Sequence, residues 1–509
     1  MKKIIYAIIF LFSINAANYS QDKERYFDSL FVATQTHTNL VYTTAPQLTS
    51  PYISESSTAT VDLKMHIFQP QGDAQQKRPM LVCFHGGGFV SGNKEHDDMI
   101  EFCKTFAKKG YVTATAQYRL GMNLLSNTSG ERSVYRAIQD SRALLRYLRE
   151  NAATLKISPD HIYVLGSSAG AFMALHNLYM DKESERPAGT YQITGLSTDA
   201  GPDLGTLDAI GSYFSLNSKS NGIVSLWGAV QNTTLIEASD PQIPVLLVHG
   251  TADAIVPFGL GSPFQASTLT PTYGSQLIDQ RLTALSYSHE TYFVQGEGHE
   301  FYGVLNGNWN PAPNQYWNIV VNRVRDFLLN IHKPVAAFNQ TVNNAQVTFT
   351  NTSTGATAWN WDFGDGTTGT EQNPVHTYLQ SGTYNVKLSA FSEVNSVHTT
   401  TNSVVVILTA VNEESLPTIT TLYQNYPNPF NPTTTITYKL SSVSNVTLKI
   451  YDVLGREVAS LVNELQNAGE YKVSFDGGRY SGGVYFYKIH AVESDGKQFT
   501  SIKKLVLLK

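Results

Sequence analysis

Short apolar runs alternate with amphipathic stretches between Tyr52 and about His332. The runs read LVCF, VTATAQY, IYVLG, VSLWGA, VLLVHG and TYFVQ. Runs that are apolar on both faces are typical of central strands in a parallel sheet that helices cover on both sides. The stretch ERSVYRAIQDSRALLRYLRENA, between the second and third runs, places Val134, Ile138 and Leu145 near one face of a helix. The pattern predicts an α/β fold with a mostly parallel, doubly wound sheet.

The pattern changes after Lys333, where short strands and turns replace the helical period. Residues 334–408 contain the strand candidates VAAFN, QVTFTN, WNWDF, YNVKLSAF and SVVVI, which predict a small β-sandwich. Residues 409–422 read as a polar linker. Residues 423–509 contain TITYKL, VTLKIYD, YKVSFD and VYFYKI, which predict a second β module. The α/β domain is therefore expected over residues 21–333.

The first 20 residues are typical of a signal peptide. Lys2 and Lys3 precede an apolar stretch from Ile4 to Phe12, and small residues follow it. This stretch is shorter than the roughly 18 apolar residues that a membrane-spanning helix needs, and we expect no transmembrane segment elsewhere. The sequence therefore predicts an exported protein.

Composition excludes several classes of function. Hydrophobic residues make up 42% of the chain and charged residues 15%, which is typical of a globular protein. The net charge is -5 and there is no run of Lys or Arg, so nucleic acid is not an expected partner. The two cysteines, Cys83 and Cys103, are too few for a disulfide framework or a cysteine-based metal site. Export would permit them to pair, but Cys83 lies in an apolar run, which favours buried free thiols.

A nucleophile motif follows the third apolar run. GSSAG, residues 166–170, stands between the strand candidate IYVLG and the helical stretch AFMALHNLYM. In this context G-x-S-x-G forms a sharp turn that raises the serine hydroxyl above the sheet. The motif alone also arises by chance, so other residues must support it. It makes Ser168 the candidate nucleophile.

A glycine-rich loop, HGGGF at residues 85–89, follows the first apolar run. Acyl transfer places negative charge on an oxygen atom, and glycines let backbone N–H groups point at that oxygen. We expect the donors of this oxyanion hole to be Gly87, Gly88 and Ala169, the residue after the nucleophile. His85 is interpreted as a residue that fixes the loop and not as a catalyst.

Two further candidates follow later apolar runs. Asp253 and His299 come just after VLLVHG and TYFVQ, at the carboxyl edge of the predicted sheet, where active sites of doubly wound folds lie. His289 and Asp240 precede their strands and belong to the opposite edge. The predicted triad is Ser168, Asp253 and His299, in which the imidazole accepts the serine proton and Asp253 fixes its tautomer. This chemistry requires no metal and no organic cofactor.

These motifs, in this order, resemble the carboxylesterase and lipase families of the α/β-hydrolase superfamily. The resemblance rests on HGGGF, AQYRLG, GSSAG, HGTADAIVPF and GEGHEF. It implies hydrolysis of carboxylic esters through an acyl-enzyme. Two departures are Ser167, where many such esterases carry an acidic residue, and the polar segment 181–221, which replaces an apolar helical cap. A serine peptidase of the same superfamily and a non-catalytic adhesive protein with a hydrolase fold are the alternatives.

The two β modules resemble known extracellular domains. WDFGDG at residues 361–366, PVHTY and SGTYNVKL resemble the polycystic-kidney-disease-type (PKD) domain, which implies a spacer or a polymer-contacting module. GDGTTG, residues 364–369, also matches a dinucleotide fingerprint, but no helix follows and a hairpin turn is expected. YPNPFNPTTTITYKL, IYDVLGREV, SGGVYFYKI and KKLVLLK resemble the C-terminal sorting domain of the type IX secretion system.

Together, the resemblances imply a secreted or surface-attached esterase that passes through the type IX secretion machinery. Secretion, the missing cap and the appended module favour esters carried on polymers. Acetyl or feruloyl groups on polysaccharide and polyesters are the expected substrate classes.

Overall fold

The protein is described from a computed structural model that covers residues 24–408, 417–493 and 495–509. The predicted signal peptide and residues 409–416 of the predicted linker lie outside these ranges. The chain forms two compact units. The first unit comprises the residues up to 405, except residues 343–345 and 379–382. The second unit comprises those two short stretches and residues 406–509.

The first unit contains the predicted α/β fold and the predicted sandwich. Its strands in chain order are β1 (Ala33–Leu48), β2 (Thr58–Pro70), β3 (Arg78–Phe84), β4 (Val112–Ala116), β5 (Ile157–Ser167), β6 (Gly222–Leu226), β7 (Ala229–Val230), β8 (Val245–Gly250), β9 (Leu260–Gly261), β10 (Thr272–Gly274), β11 (His289–Val294), β12 (Val304–Leu305), β13 (Asn308–Trp309), β14 (Phe338–Asn343), β15 (Gln346–Asn351), β16 (Ala358–Asp362), β17 (Thr368–Gly369), β18 (Val375–Thr377), β19 (Gly382–Phe391) and β20 (Val397–Val406). Its α-helices are α1 (Asp97–Lys108), α2 (Asn127–Glu150), α3 (Ala152–Leu155), α4 (Ala169–Tyr179), α5 (Ser275–Ala284) and α6 (Gln315–His332).

The central sheet has eight strands in the order β1-β2-β4-β3-β5-β6-β8-β11. The six predicted apolar runs form β3, β4, β5, β6, β8 and β11, and these strands pair in parallel. β1 and β2 add an antiparallel edge that the apolar pattern did not predict. The predicted α/β fold with a mostly parallel, doubly wound sheet is confirmed.

Helices cover both faces of this sheet, as the alternation of side chains along β3 shows. Met80 and Val82 pack into a core with α2 and α4, whereas Leu81 packs into a second core with α1 and α6. Cys83 and Cys103 are free, buried thiols in this second core. Two buried faces explain why β3 is apolar from Met80 to Phe84.

Helix α2 begins where the sequence offers a cap. The Ser126 side chain accepts a hydrogen bond from the backbone N–H of Ser129 at 3.0 Å. Such a cap satisfies one of the free N–H groups of the first turn. Of the three residues that the sequence placed near one face, Ile138 and Leu145 are fully buried and Val134 is half-buried.

Residues 181–221 form a mostly irregular segment with two single-turn 3-10 helices, Glu183–Glu185 and Ala188–Thr190. Three arginines of α2, Arg132, Arg146 and Arg149, donate hydrogen bonds to backbone carbonyls of this segment. The carbonyls belong to Gly189, Tyr191, Pro202, Ile210, Ser212, Asn217 and Lys219. Charged donors thus satisfy backbone groups that a helical cap would satisfy internally.

The predicted sandwich consists of two sheets, β14-β15-β18 and β17-β16-β19-β20. Buried aromatic rings fill the space between them, including Phe338, Phe349 and Trp361. GDGTTG forms the hairpin between β16 and β17, where Gly364 and Gly366 have φ angles of 79° and 90°. The predicted hairpin turn is present.

The turn between β19 and β20 packs against the α/β fold. Val394 is fully buried in the core that also contains α1 and α6, and its carbonyl accepts the Tyr26 O–H at 2.6 Å. His332, at the end of α6, contacts the Ser396 hydroxyl through Nδ1 and the Tyr111 hydroxyl through Nε2 at 2.8 Å. We propose that the boundary between the two folds lies near Lys333 and that the sandwich stabilises the α/β fold through this contact.

Replacing Val394 by aspartate is expected to lower the free energy of unfolding of the first unit by roughly 3 kcal/mol, because it buries a carboxyl group without a partner. The matched control is Val375→Asp, at a position on the same sandwich that is 54% exposed. Urea unfolding of both full-length variants, followed by tryptophan fluorescence, measures the difference. Equal unfolding midpoints would contradict the packing role of Val394.

The second unit contains the β module of the predicted sorting domain. Its strands are β21 (Thr421–Leu422), β22 (Thr433–Leu440), β23 (Ser444–Tyr451), β24 (Glu457–Gln466), β25 (Gly469–Asp476), β26 (Gly483–Glu493) and β27 (Gln498–Leu507). They form the sheets β21-β22-β25 and β24-β23-β26-β27, with Tyr438, Ile450 and Tyr487 fully buried. In both units, every helix within the described ranges is too short or too polar to cross a membrane.

Candidate active site

Ser168 stands at the sharp turn between β5 and α4. Its φ and ψ angles are 52° and -114°, a strained conformation that non-glycine residues rarely adopt. The flanking glycines permit this turn, because a Cβ atom at Gly166 would lie 2.2 Å from the Gly170 oxygen. A Cβ atom at Gly170 would lie 2.4 Å from the Phe84 oxygen. The turn places the Ser168 hydroxyl at the carboxyl edge of the sheet.

His299 and Asp253 reach the same edge from the loops after β11 and β8. His299 Nε2 lies 3.1 Å from Ser168 Oγ, and His299 Nδ1 lies 2.7 Å from Asp253 Oδ2. An ionised carboxylate only accepts hydrogen bonds, so Nδ1 carries the imidazole proton. Nε2 is then free to accept the hydroxyl proton of Ser168. The structure thus brings the three predicted side chains into one hydrogen-bonded line.

The carboxylate of Asp253 is completely buried and fully hydrogen-bonded. Oδ1 accepts the backbone N–H groups of Ile255 at 2.8 Å and Val256 at 2.9 Å. Oδ2 lies 3.2 Å from His249 Nε2 in addition to its contact with His299. Burial raises the pKa of Asp253, but hydrogen bonds from His249 and His299 outweigh burial and hold the pKa well below its usual value. Asp253 is therefore ionised throughout the neutral range.

His249 is a partner of Asp253 that the sequence analysis did not identify. It is fully buried at the end of β8, with Nε2 3.1 Å from the Val256 oxygen and Nδ1 2.8 Å from the Ser275 hydroxyl. Nε2 faces two acceptors and must carry the proton, so Nδ1 accepts from Ser275. The signal in the sequence was the spacing of His249 and Asp253 in HGTAD, which sets the two side chains on one tight turn.

The glycine-rich loop packs directly against the nucleophile. A Cβ atom at Gly86 would lie 3.3 Å from Ser168 Cβ. Gly87 and Gly88 have φ angles of 111° and 60°, and a Cβ atom at Gly87 would lie 2.2 Å from the Ser91 oxygen. Glycine is therefore required for this loop shape.

Ala169 is the first residue of α4, so its N–H has no acceptor within the helix. Gly88, Ser168 and Ala169 line the same cavity. The N-terminus of a helix carries partial positive charge, which suits an oxyanion. The surroundings of the predicted donors are thus compatible with an oxyanion hole.

His85 anchors the glycine-rich loop. Its ring stacks on Tyr118 at 4.4 Å between centroids, and its Nδ1 lies 2.7 Å from the Gly86 oxygen. The Tyr118 hydroxyl donates to the His85 carbonyl at 2.8 Å. Burial lowers the pKa of His85 to about 3, so the ring is neutral. These contacts fit the predicted loop-fixing role.

The alternative candidates lie elsewhere. His289 is the first residue of β11, at the amino edge of the sheet, and its Nε2 lies 2.8 Å from Asp279. Asp240 precedes β8 and accepts the backbone N–H of Glu237 at 2.8 Å. Asp240 thus precedes its strand, as the sequence predicted, and His289 begins its strand.

An apolar cavity opens beside Ser168. One wall comes from α2, and a second comes from α4. Among the side chains that line it are Met122, Val134, Ile138, Phe172, Met180 and Phe264. Its surface is suited to an apolar group attached to the carbonyl carbon that Ser168 would attack.

The loop 257–274 covers part of this cavity. Phe264 approaches Gly88 so closely that a Cβ atom on Gly88 would lie 2.6 Å from its Cζ atom. The loop is tied to α2, because the Thr270 N–H donates to Asn127 Oδ1 at 2.9 Å. The sequence did not predict this cover, because residues 181–221, where a cap would be expected, lack an apolar helical pattern.

A mostly parallel α/β sheet, a strained serine after a central strand, and an acid and a base after later strands define the α/β-hydrolase fold. Residues 65–200 match the BD-FAE family model, and this match includes the glycine-rich loop and Ser168. Residues 331–407 match the PKD domain, and residues 424–507 match the secretion system C-terminal sorting domain. The resemblances of the three parts of the chain are confirmed.

Curated relatives match a shorter region. Gut esterase 1 of Caenorhabditis elegans is 32% identical over 110 residues, which is 21% of this chain and 19% of that protein. Carboxylesterase 1C of Rattus norvegicus is 33% identical over 110 residues, covering 21% of this chain and 20% of that protein. The chain thus spans about a fifth of the length of these relatives.

Among solved structures, esterase 2 of Thermogutta terrifontis phosphonylated by cyclosarin is similar over 58% of this chain and 94% of that chain. The TM-score is 0.40 and the sequence identity 20%.

Proposed function

We propose that this protein is a secreted serine esterase that hydrolyses carboxylic esters through an acyl-enzyme. The observation that carries the proposal is the hydrogen-bonded line from Ser168 through His299 to Asp253. The match of residues 65–200 to the BD-FAE family and the named esterases among the relatives support the same activity.

In the first half of the reaction, Ser168 Oγ attacks the ester carbonyl and its proton passes to His299 Nε2. The carbonyl oxygen becomes an oxyanion, which the N–H groups of Gly87, Gly88 and Ala169 would stabilise. Asp253 stabilises the imidazolium that forms, because its carboxylate is ionised and faces Nδ1. His299 then gives the proton to the leaving alcohol.

In the second half, His299 Nε2 takes a proton from a water molecule that attacks the acyl-enzyme. The same oxyanion hole serves the second tetrahedral intermediate. The proton returns to Ser168 Oγ as the carboxylic acid leaves, which restores the resting site. All of these steps use side chains and backbone groups of this chain.

The cavity supports an apolar acyl group, because the lining side chains named above are aliphatic, thioether or aromatic. Among the substrate classes that the sequence suggested, feruloyl esters and aromatic polyesters suit this cavity better than acetyl esters. A polymer-bound substrate is consistent with the PKD domain at residues 331–407.

The sorting domain at residues 424–507 supports export. We infer that the type IX secretion machinery is the partner of this domain and that the enzyme acts outside the cell, released or attached to the surface. The predicted signal peptide would supply the first step of that route.

The proposed activity is tested with p-nitrophenyl esters from acetate to octanoate, methyl ferulate, acetylated xylan and polyester film. We expect the highest kcat/KM for large apolar acyl groups. The peptidase alternative is tested with a p-nitroanilide of the same acyl group, which should react far more slowly than the ester. A purified, folded protein that hydrolyses none of these esters would contradict the proposal.

Gly130 offers a way to change acyl selectivity. It lies on α2 and lines the cavity, where a Cβ atom would lie 3.4 Å from Met122 Cε and 3.6 Å from Leu269 Cδ2. Gly130→Leu is expected to reduce kcat/KM for octanoate or ferulate esters by at least about tenfold, because the side chain fills the acyl cavity. The value of kcat/KM for the acetate ester should fall by less than about threefold.

The control is Gly130→Ala, whose single methyl group fits at ordinary contact distance. It should keep wild-type selectivity and stabilise α2 by up to about 1 kcal/mol. If Gly130→Leu lowers kcat/KM equally for the acetate and octanoate esters, the cavity does not hold the acyl group.

A further inference from the structure

Glu300 is a buried carboxylate directly after the proposed base, His299. The residue is 6% exposed and has a φ angle of 52°. A glutamate in this left-handed conformation is unusual, and its side chain is turned inward where a carboxylate loses hydration. Such an arrangement requires compensating contacts.

One side of the carboxyl group fixes a neighbouring hairpin. Glu300 Oε2 accepts the backbone N–H of Asn306, and the carboxyl group is also hydrogen-bonded to the backbone of Gly307. These residues form the turn between β12 and β13. Glu300 therefore joins the loop that carries His299 to the hairpin that follows it.

The other oxygen lies close to the glycine-rich loop, at Gly86. Glu300 Oε1 lies 3.6 Å from the position that a Cβ atom of Gly86 would occupy, and that position is 3.3 Å from Ser168 Cβ. The carboxyl group thus stands at the back of the turn that holds Ser168, where the glycine-rich loop meets it. This place is separate from the apolar cavity in front of Ser168.

Several titratable groups surround Glu300. Glu300 interacts electrostatically with His299 and Asp253 of the active-site loops, and with the buried pair Asp98 and Tyr302, which lie on α1 and on the loop that carries Glu300. Burial raises the pKa of Glu300, while His299 and the two backbone contacts oppose that rise. Burial also raises the pKa of Asp98 to about 8, so Asp98 is neutral near pH 7 and adds little negative charge.

We propose that Glu300 is a positioning residue for the hydrolysis, whose carboxylate fixes the loop of His299 and stabilises the imidazolium form of His299 in the transition state. This inference rests on the proposed function. The contact with Asn306 does not itself require a charge, because a glutamine oxygen could accept that N–H group. The negative charge gains a partner when His299 takes the proton of Ser168.

The test compares Glu300→Gln with the full-length wild type in the pH dependence of kcat and kcat/KM on one soluble p-nitrophenyl ester. Without the carboxylate, protonated His299 is less stable, so the acid limb of the profile should move to lower pH by about one unit. The plateau of kcat should fall about tenfold, because the same loss of stabilisation raises the barrier. The amide retains the acceptor for the hairpin.

Glu297→Gln is the matched control, since it removes a carboxylate from the same loop, where Glu297 Oε1 accepts the Tyr316 hydroxyl at 3.0 Å. Its profile should coincide with that of the wild type. Glu300→Asp keeps the negative charge but moves it away from His299, because the side chain is shorter. The acid limb of its pH profile should therefore move to lower pH by less than in Glu300→Gln. This second variant also tests the inference if Glu300→Gln does not fold.

A lower plateau of Glu300→Gln with an unmoved acid limb would show a purely structural role and overturn the inference. An unchanged profile and plateau would also overturn it, as would an unmoved acid limb in Glu300→Asp when Glu300→Gln fails to fold. If the proposed function itself is wrong, the wild-type protein will not hydrolyse the ester, which distinguishes that outcome from failure of this inference.

Discussion

Replacing Ser168 by alanine is expected to reduce kcat for ester hydrolysis by about four orders of magnitude or more. The variant lacks the atom that attacks the carbonyl, and the remaining triad residues cannot act without it. The fold should be unaffected, because Ser168 Oγ contacts only His299 among its described hydrogen-bond partners. The expected change therefore concerns turnover and not the unfolding midpoint.

The comparison uses initial rates on one p-nitrophenyl ester, with far-ultraviolet circular dichroism and urea unfolding to establish that the variant folds. Ser167→Ala is the matched control. Ser167 is the adjacent buried serine, and its Oγ accepts the Trp227 indole N–H at 3.0 Å. This variant should keep turnover within about tenfold, because the attacking hydroxyl remains. A Ser168→Ala variant with a tenth of wild-type turnover would refute the assignment.

Replacing Asp253 by asparagine is expected to lower kcat by about 10⁴-fold, as loss of the correct tautomer does in serine hydrolases. The two backbone N–H groups of Ile255 and Val256 require an oxygen at the Oδ1 position. The amide NH₂ must therefore occupy the Oδ2 position, where it faces His299 Nδ1. It would donate to Nδ1 and drive the imidazole proton to Nε2, which then cannot accept the proton of Ser168.

Asp279→Asn is the control, because Asp279 is another carboxylate bound to a histidine, His289, at 2.8 Å. It lies away from Ser168 and should leave kcat within about twofold. Both variants are compared on one soluble ester at a pH above the acid limb of the wild-type profile. An Asp253→Asn variant with nearly full kcat would mean that Asp253 does not set the tautomer of His299.

The central part of the fold was predictable because burial on both faces makes a strand apolar at every position. That signal identified β3, β4, β5, β6 and β8, while β11, a half-buried edge strand, was identified from the short apolar run TYFV. The apolar pattern did not predict β1, because this strand is largely exposed. Its sequence ATQTHTNLVYTT is largely polar, and the strand lies at the edge of the sheet, where only scattered positions are buried.

The candidate site was predictable where a residue type is tied to a sharp turn or to a strand end. Ser168, Asp253 and His299 satisfy that condition, and the structure places His299 within hydrogen-bond distance of both Ser168 and Asp253. His249 and Glu300 were missed because a buried polar residue beside a motif looks like an ordinary core or turn residue. Their roles depend on which atoms they face, which only the folded chain reveals.

Two features depend on contacts distant in sequence. Phe264 reaches Gly88 from a loop that carries no pattern of its own. The burial of Val394 joins the sandwich to the core of the α/β fold, although the sequence around Lys333 reads as a simple boundary. Such contacts follow from shape complementarity, and neither periodicity nor composition encodes them.

The most direct measurement is the site of covalent modification by a fluorophosphonate, located by peptide mass spectrometry on the full-length protein. The reagent mimics the tetrahedral intermediate and reacts only with an activated nucleophile. We expect one adduct, on the peptide that contains Ser168, with loss of ester hydrolysis in proportion to labelling and slower labelling in Asp253→Asn. An adduct on another residue that accompanies loss of activity, or full hydrolysis after complete labelling of Ser168, would contradict the assignment of Ser168 as the nucleophile.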